Sequence, residues 1–173
     1  YSSLIRNKTK LCDDVPGALT ALNLVLASDD DVLSNWEVNE SYTLTVQRAS
    51  AAINASTPFG ALRGLETFYQ LLSNATVRTA TVELPHDTIA INDQPAYPWR
   101  SLMIDTGRRL FPMTFVRSII DAMAMVKLNV LQLHMNDMGR FAWESKVFPE
   151  LNVGYDTDTR YWKQDEIRSE EHT

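Results

Sequence analysis

The sequence predicts an α+β domain over residues 1–95, an antiparallel sheet carrying one main helix, followed over 96–173 by a strand–helix–strand unit of a parallel sheet. Three observations carry that expectation. Tyr42-Thr43-Leu44-Thr45-Val46 is β-branched and alternates, the pattern of a half-buried strand. Leu62, Leu65, Phe68, Tyr69 and Leu72 recur at spacings of three and four, which places them on one face of a helix. Two apolar runs, Ser101-Leu102-Met103-Ile104 and Val130-Leu131-Gln132-Leu133-His134, bracket a second helical pattern. Near-continuous apolar strands of this kind are covered on both faces, as in a parallel sheet.

Each element follows in order. Leu22 to Leu26 is an apolar run, and Asp29, Asp30 and Asp31 form a charged turn behind it. Thr57 is placed to cap the main helix with its hydroxyl. Pro58 sits at the first helical position, where its missing N–H costs nothing. Thr81 to Leu84 and Thr88 to Ile91 read as two short strands around the turn residues Pro85-His86-Asp87. The turn-forming stretch Asn92-Asp93-Gln94-Pro95-Ala96-Tyr97-Pro98 marks a domain boundary. Thr114 is placed to cap a helix running to Lys127, with Val116, Ile119, Met123 and Val126 on its buried stripe, and Asn129 stops it. From Leu151 onward the chain is polar and without periodicity, apart from one short helical turn expected within Asp165 to Thr173.

Composition narrows the function classes. Apolar residues make up 45% of the 173, enough for a packed core, and the net charge is -6. No basic stripe marks a nucleic-acid partner, and no apolar run reaches the length of a membrane span. Cys12 has no second cysteine to pair with inside the chain. Its acidic surroundings, Leu11-Cys12-Asp13-Asp14, disfavour a thiolate, so a free thiol or an external pairing is expected rather than catalysis. Nothing in the pattern calls for a metal or cofactor. Four N-x-S/T sequons begin at Asn7, Asn39, Asn54 and Asn74. Chance at this Asn, Ser and Thr content gives roughly one to two, so the excess predicts glycosylation and passage through the secretory pathway.

Three blocks carry a resemblance: Ala61-Leu62-Arg63-Gly64-Leu65-Glu66-Thr67-Phe68-Tyr69-Gln70-Leu71-Leu72, the run from Ile91 to Pro112, and the run from Met123 to Asp137. Together they resemble the family-20 glycoside hydrolases, the β-N-acetylhexosaminidases, and among these the eukaryotic lysosomal enzymes. The resemblance implies a small α+β domain before a (β/α)8 barrel, of which this chain holds an incomplete first βαβ portion. A barrel of that type takes roughly 250 residues, and fewer than about a third of that follow Tyr97, so a fragment is expected. Barrel chemistry sits at the C-terminal strand ends. Two such ends are present, Ile104-Asp105-Thr106-Gly107-Arg108 and Leu133-His134-Met135-Asn136-Asp137.

By that resemblance, Arg108 grips hydroxyls of the terminal sugar, for which a planar fork of donors is suited. Asp105 orients Arg108 or its loop. Asp137 matches the aspartate that helps hold the acid through a later histidine. His134, from its place at the strand end, is read either as lining the pocket or as a satisfied core histidine. Met138 stands where family members often carry a second acidic residue. Trp143 and Glu144 follow, with packing the favoured role for Trp143.

The family's mechanism is substrate-assisted: the substrate's 2-acetamido oxygen attacks the anomeric carbon, and an Asp-Glu pair in a His-x-Gly-Gly-Asp-Glu motif orients it and supplies the acid. That motif is absent. Asp165-Glu166 lies in a polar tail without a preceding apolar strand, and is not taken for the pair. No catalytic residue is therefore assigned. Two function classes stand: the front part of an enzyme removing terminal non-reducing N-acetylglucosamine or N-acetylgalactosamine, or a non-catalytic glycan-binding or subunit-contact fragment. The resemblance implies an N-acetylhexosamine-containing glycan as partner, a homo- or hetero-dimer in the full-length form, and a lysosomal or extracellular location.

Overall fold

The computed structural model describes residues 19, 21–28, 38–47, 50–74, 76–78, 81–83, 88–138, 140–152 and 161–168. Cys12, Asn7, the Asp29–Asp31 turn, Pro85-His86-Asp87 and the tail beyond Arg168 lie outside them. The chain divides into two compact units, Tyr1–Pro98 and Trp99–Thr173.

In the first unit, strands β1 (Ala21–Leu26), β2 (Tyr42–Val46), β3 (Ser50–Ala55) and β6 (Ile89–Asp93) form one sheet in the order β1-β3-β2-β6. Strands β4 (Thr76–Arg78) and β5 (Thr81–Glu83) make a separate antiparallel pair. The large sheet is mixed rather than antiparallel, because β1 pairs in parallel with β3. The hairpin β2–β3 places β3 between β1 and β2, so the first strand meets the third, which runs in its own direction. The two short strands expected on either side of Pro85 are present, as β5 and β6. The first pairs back with β4, and the second, shifted to Ile89–Asp93, pairs with β2, so the two do not pair with each other.

Strand β3 went unread because Ser50-Ala51-Ala52-Ile53-Asn54-Ala55 is poor in β-branched residues. Packing explains those small side chains. Helix α1 (Pro58–Asn74) lies on this face of the sheet, and Ala51, Ile53 and Ala55 are buried beneath it with Tyr42, Leu44 and Val46. The approach is close: a Cβ on Gly64 would stand 2.7 Å from Ile53 Cγ2 and 3.0 Å from Tyr42 Cδ2. The stripe actually buried is Ala61, Gly64, Phe68 and Leu72, while Leu62, one residue round the helix from Ala61, is 45% exposed.

Polar contacts fix the helix on the sheet. The Gly60 N–H donates to Thr57 Oγ1 at 3.2 Å, the expected cap, and the Thr57 hydroxyl donates onward to the Asn39 carbonyl at 2.6 Å. Arg63 Nη2 meets Glu40 Oε1 at 2.6 Å, with Glu40 buried. The Tyr42 hydroxyl donates to Asp93 Oδ2 at 2.8 Å and, its one hydrogen so used, accepts from the Thr67 hydroxyl at 2.6 Å.

In the second unit, β7 (Ser101–Asp105), helix α2 (Met113–Met125) and β8 (Val130–His134) form the expected strand–helix–strand unit, with the strands parallel and Asp105 opposite His134. Thr114 is not the cap. Pro112 holds that position with extended backbone and no side-chain hydrogen bond, and its carbonyl accepts the Phe115 N–H at 2.9 Å. The helix ends two residues before Lys127, at Met125. Val126 is the C-cap and is 67% exposed rather than on the stripe, and Lys127 turns to φ 60. Val116 and Met123 are buried as the spacing required. Asn129 works at the strand entry instead: its Oδ1 accepts the Arg100 N–H at 2.9 Å. Beyond β8 come a short hairpin of β9 (Asn136–Asp137) and β10 (Arg140–Phe141), a 3-10 turn (Pro149–Asn152) and helix α3 (Gln164–Arg168).

Candidate functional site

The parallel register of β7 and β8 brings their two C-terminal ends side by side, and four of the residues singled out above meet there. Main-chain hydrogen bonds lock the two ends. The Thr106 and Gly107 N–H groups both donate to the His134 carbonyl at 2.9 Å, and the Thr106 hydroxyl donates to the same oxygen at 3.1 Å. Thr106 is fully buried. Position 107 tolerates only glycine: a Cβ there would sit 2.8 Å from the Asn136 carbonyl carbon and 2.9 Å from the Asp137 nitrogen, both backbone atoms that cannot swing aside.

This junction sets Arg108 between two carboxylates. Arg108 Nε lies 2.9 Å from Asp137 Oδ2, and Nη1 lies 3.0 Å from Asp105 Oδ2. The Arg108 N–H donates to the other Asp105 oxygen at 3.0 Å, so Asp105 holds both the side chain and the main chain of the arginine. The Arg108 side chain nevertheless remains 74% exposed, with Asp105 and Asp137 at 26% and 27%. A guanidinium has five donors. Two are spent on the carboxylates of this cluster. His134 Nε2 stands 3.6 Å from Asp137 Oδ2, an ion pair when the ring is protonated.

Asp137 is held below the usual carboxylate range. The main cause is the Met138 N–H, which donates to Oδ1 at 2.6 Å. Arg108 and His134 act in the same direction, and burial opposes them. A depressed folded-state pKa contributes stability that is complete above the ordinary carboxylate value and is lost as pH falls through the lowered one. The Arg108–Asp137 pair is therefore expected to survive mild acid. A carbon-13 NMR titration of the Asp137 carboxyl should show a midpoint below 3.8, the ordinary value. Met138→Pro removes the N–H donor and should move that midpoint upward. A midpoint at or above 3.8 in the unaltered chain contradicts this account.

Asp105, His134 and Asp137 are also the one group among the described residues whose ligand atoms lie close enough to hold a metal ion, all within 4.8 Å. Both carboxylate Oδ2 atoms already face Arg108, so a cation there would have to displace a guanidinium. The chemistry of the set is that of an arginine cradle.

The remaining candidates serve the surrounding loops. Trp143 is half-buried and bridged through its backbone to Trp162. Glu144 Oε2 accepts the Gln164 N–H at 3.1 Å. Glu166 Oε2 accepts the Lys163 N–H at 2.8 Å, capping its own short helix, and Asp165 and Glu166 are both exposed. Asn39 and Asn54 have exposed side chains. Asn39 Oδ1 accepts the Ser41 N–H at 3.0 Å, and Asn54 points away from the helix-covered face of the sheet. Asn74 is the last residue of α1.

Comparison with known proteins decides the family. Residues 97–169 match the model of the glycosyl hydrolase family 20 catalytic domain, and residues 5–71 match a domain described as beta-acetyl hexosaminidase like. The chain belongs to the family-20 glycoside hydrolases. It is 38% identical to Beta-hexosaminidase 1 of Arabidopsis thaliana, over 85% of this chain and 28% of that protein. It is 38% identical to Beta-hexosaminidase subunit beta of Homo sapiens, over 76% of this chain and 23% of that one. Among solved structures, the Flavobacterium johnsoniae chitobiase matches with a TM-score of 0.79 at 29% identity, over 97% of this chain and 26% of that one. The N-acetyl-beta-hexosaminidase of Streptomyces plicatus matches with a TM-score of 0.68 at 25% identity, over 86% and 30%. The family-20 chain thus spans about a quarter of the length of the curated relatives it matches. No described helix is long and apolar enough to cross a membrane.

Sequence reading did not find Trp162. Its indole N–H donates to the Phe111 carbonyl at 2.9 Å, and the residue is buried, 3% exposed. The signal was an apolar side chain in a polar stretch, Tyr161-Trp162-Lys163, too short to show any period.

Proposed function

We propose that this chain is the front part of a β-N-acetylhexosaminidase, and that the β7 and β8 ends form one wall of its terminal-sugar pocket. The observation that supports this most is the Arg108 guanidinium, braced by two carboxylates yet 74% exposed. Charged donors held rigid and left facing solvent suit the adjacent hydroxyls of a sugar ring. Asp105 sets the direction of the fork. Asp137, ionised and paired, holds the second edge of it and offers His134 a partner. The substrate class is a glycan ending in β-linked N-acetylglucosamine or N-acetylgalactosamine, cleaved with retention by the substrate's own acetamido group, with the Asp-Glu pair supplied from outside this chain. β7, α2 and β8 are, on this reading, the opening of a (β/α)8 barrel.

The sequon excess supports passage through the secretory pathway to a lysosomal or extracellular location, with Asn7, Asn39, Asn54 and Asn74 as glycan sites. Dimer formation belongs to the same proposal.

An antibody against residues 38–74 tests the reading in the source cell. Immunodepletion should remove N-acetylglucosaminidase activity together with a band well above 19.6 kDa. A 19.6 kDa band alone, with activity left behind, would overturn it and leave a non-catalytic glycan-binding or subunit-contact product.

Residues 1–173 alone are expected to turn over a chromogenic N-acetyl-β-glucosaminide no faster than buffer. General-acid catalysis needs an acid within hydrogen-bond reach of the leaving oxygen, and Glu166 is spent on its own helix end. Turnover above buffer would contradict this. Its persistence in Asp165→Asn with Glu166→Gln would place the acid elsewhere in the chain.

A further inference from the structure

We infer that Trp162 is a positioning residue for Arg108, acting through the loop that joins β7 to α2. The inference rests on the reading of Arg108 as the sugar-binding group. That loop, residues 106–112, is fastened at two ends by different means. Its first half is tied to the end of β8 by the three hydrogen bonds to the His134 carbonyl. Its second half, residues 109–112, has one hydrogen bond to anything beyond the loop and α2 among the described residues: the Trp162 indole N–H to the Phe111 carbonyl, 2.9 Å. The Phe111 ring is stacked on Phe115 of the neighbouring helix at 4.8 Å between centroids, with the Arg109 guanidinium 5.7 Å from its centre.

Trp162 is a firm post for that tether. It is 3% exposed, and its backbone is bonded on both sides to the segment after β10. Its N–H donates to the Ala142 carbonyl at 2.9 Å, and its carbonyl accepts the Glu144 N–H at 2.9 Å. Ala142 in turn donates to the Met135 carbonyl at 2.8 Å, between His134 and the Asn136–Asp137 strand. Trp162 therefore links the loop carrying Arg108, through its indole, to the hairpin carrying Asp137, through its backbone bond to Ala142, and Arg108 and Asp137 are paired at 2.9 Å. A buried indole N–H needs an acceptor, and a tight loop offers few carbonyls, so the bond is selective for one loop shape. Losing it frees the stretch after Arg108 while leaving the strand-end junction made.

Trp162→Phe deletes the donor and keeps a buried aromatic ring. In the full chain, hydrogen exchange read by NMR should rise about tenfold at the Arg108 N–H and at its Nε–H, with the Ala142 and Leu133 N–H groups unchanged. No change at Arg108 overturns the inference. An equal rise at all four groups also overturns it, because Trp162 is then only a core residue. Should that variant fail to fold, the unaltered chain decides. The Trp162 indole N–H and the Arg108 N–H must show matching protection, each measured against its own intrinsic exchange rate, as groups opening together, and protection differing by more than about tenfold overturns it.

Sugar recognition is read separately. In an active longer polypeptide, Trp162→Phe should raise KM in the manner of Arg108→Lys, and the double variant should add less than the sum of the two. Additive effects count against coupling through Arg108. If Arg108→Lys leaves KM and kcat unchanged while Trp162→Phe still loosens the loop, the sugar reading fails and the positioning link stands.

Discussion

Phe68→Ala is expected to destabilise the first unit by about 3–5 kcal/mol, the range for emptying a buried phenylalanine site. Phe68 is 2% exposed and lies on the stripe of α1 that faces Leu44 and Ile53, themselves fully buried. Collapse around the gap is limited. The helix already touches the sheet at Gly64, and the Thr57 and Arg63 contacts to residues 39 and 40 hold its first turns in place. Leu62→Ala is the comparison, since Leu62 is 45% exposed and its truncation should cost less than about 1 kcal/mol. Urea unfolding followed by circular dichroism measures both. If the two variants lose equal stability, the helix packs through a different face from the one described.

Arg108→Lys in an active polypeptide bearing these residues is expected to lower kcat/KM by roughly 10- to 100-fold, the loss of a charge-assisted hydrogen bond worth about 1.5–3 kcal/mol. Lysine keeps the charge. It cannot meet Asp137 with one edge and Asp105 with the other while still presenting donors outward, which the forked group does at 2.9 and 3.0 Å. An interaction equal in ground and transition states appears in KM alone; one that tightens in the transition state lowers kcat as well. Arg109→Lys is the internal control. Its guanidinium lies over the Phe111 ring rather than between carboxylates, so activity should fall little. A fully active Arg108 variant, or an Arg109 variant equally impaired, would place the sugar-binding register elsewhere in the loop.

The elements that sequence made legible are those whose side chains carry a period. β2 and β8 fall at the residues that alternation and apolar content picked out, and Thr57 with Pro58 opens α1 as capping chemistry requires. β3 was hidden because it faces a closely laid helix, and closeness selects alanine over the branched residues that mark strands. The parallel pairing of β1 with β3 is a property of chain return, which no local pattern records. Thr114 misled because a hydroxyl near a helix start is a cap only with extended backbone, and that backbone belongs to Pro112. At the site, the family resemblance named Arg108 and Asp137, and position at the two strand ends named Asp105 and His134. The bracing of one guanidinium by carboxylates from two strand ends emerges only once the parallel register is formed.

The join between those strand ends is made by the carbonyl of residue 134, which accepts from Thr106 twice and from Gly107 once. Every amino acid has that carbonyl. The imidazole of His134 hangs from the anchor point without being part of that main-chain fastening, 41% exposed and 3.6 Å from Asp137. Position 134 is therefore a socket for variation. A designer can exchange its ring for an amide, a thioether or an aromatic and retune the polarity beside Asp137, while the architecture that presents Arg108 stays assembled.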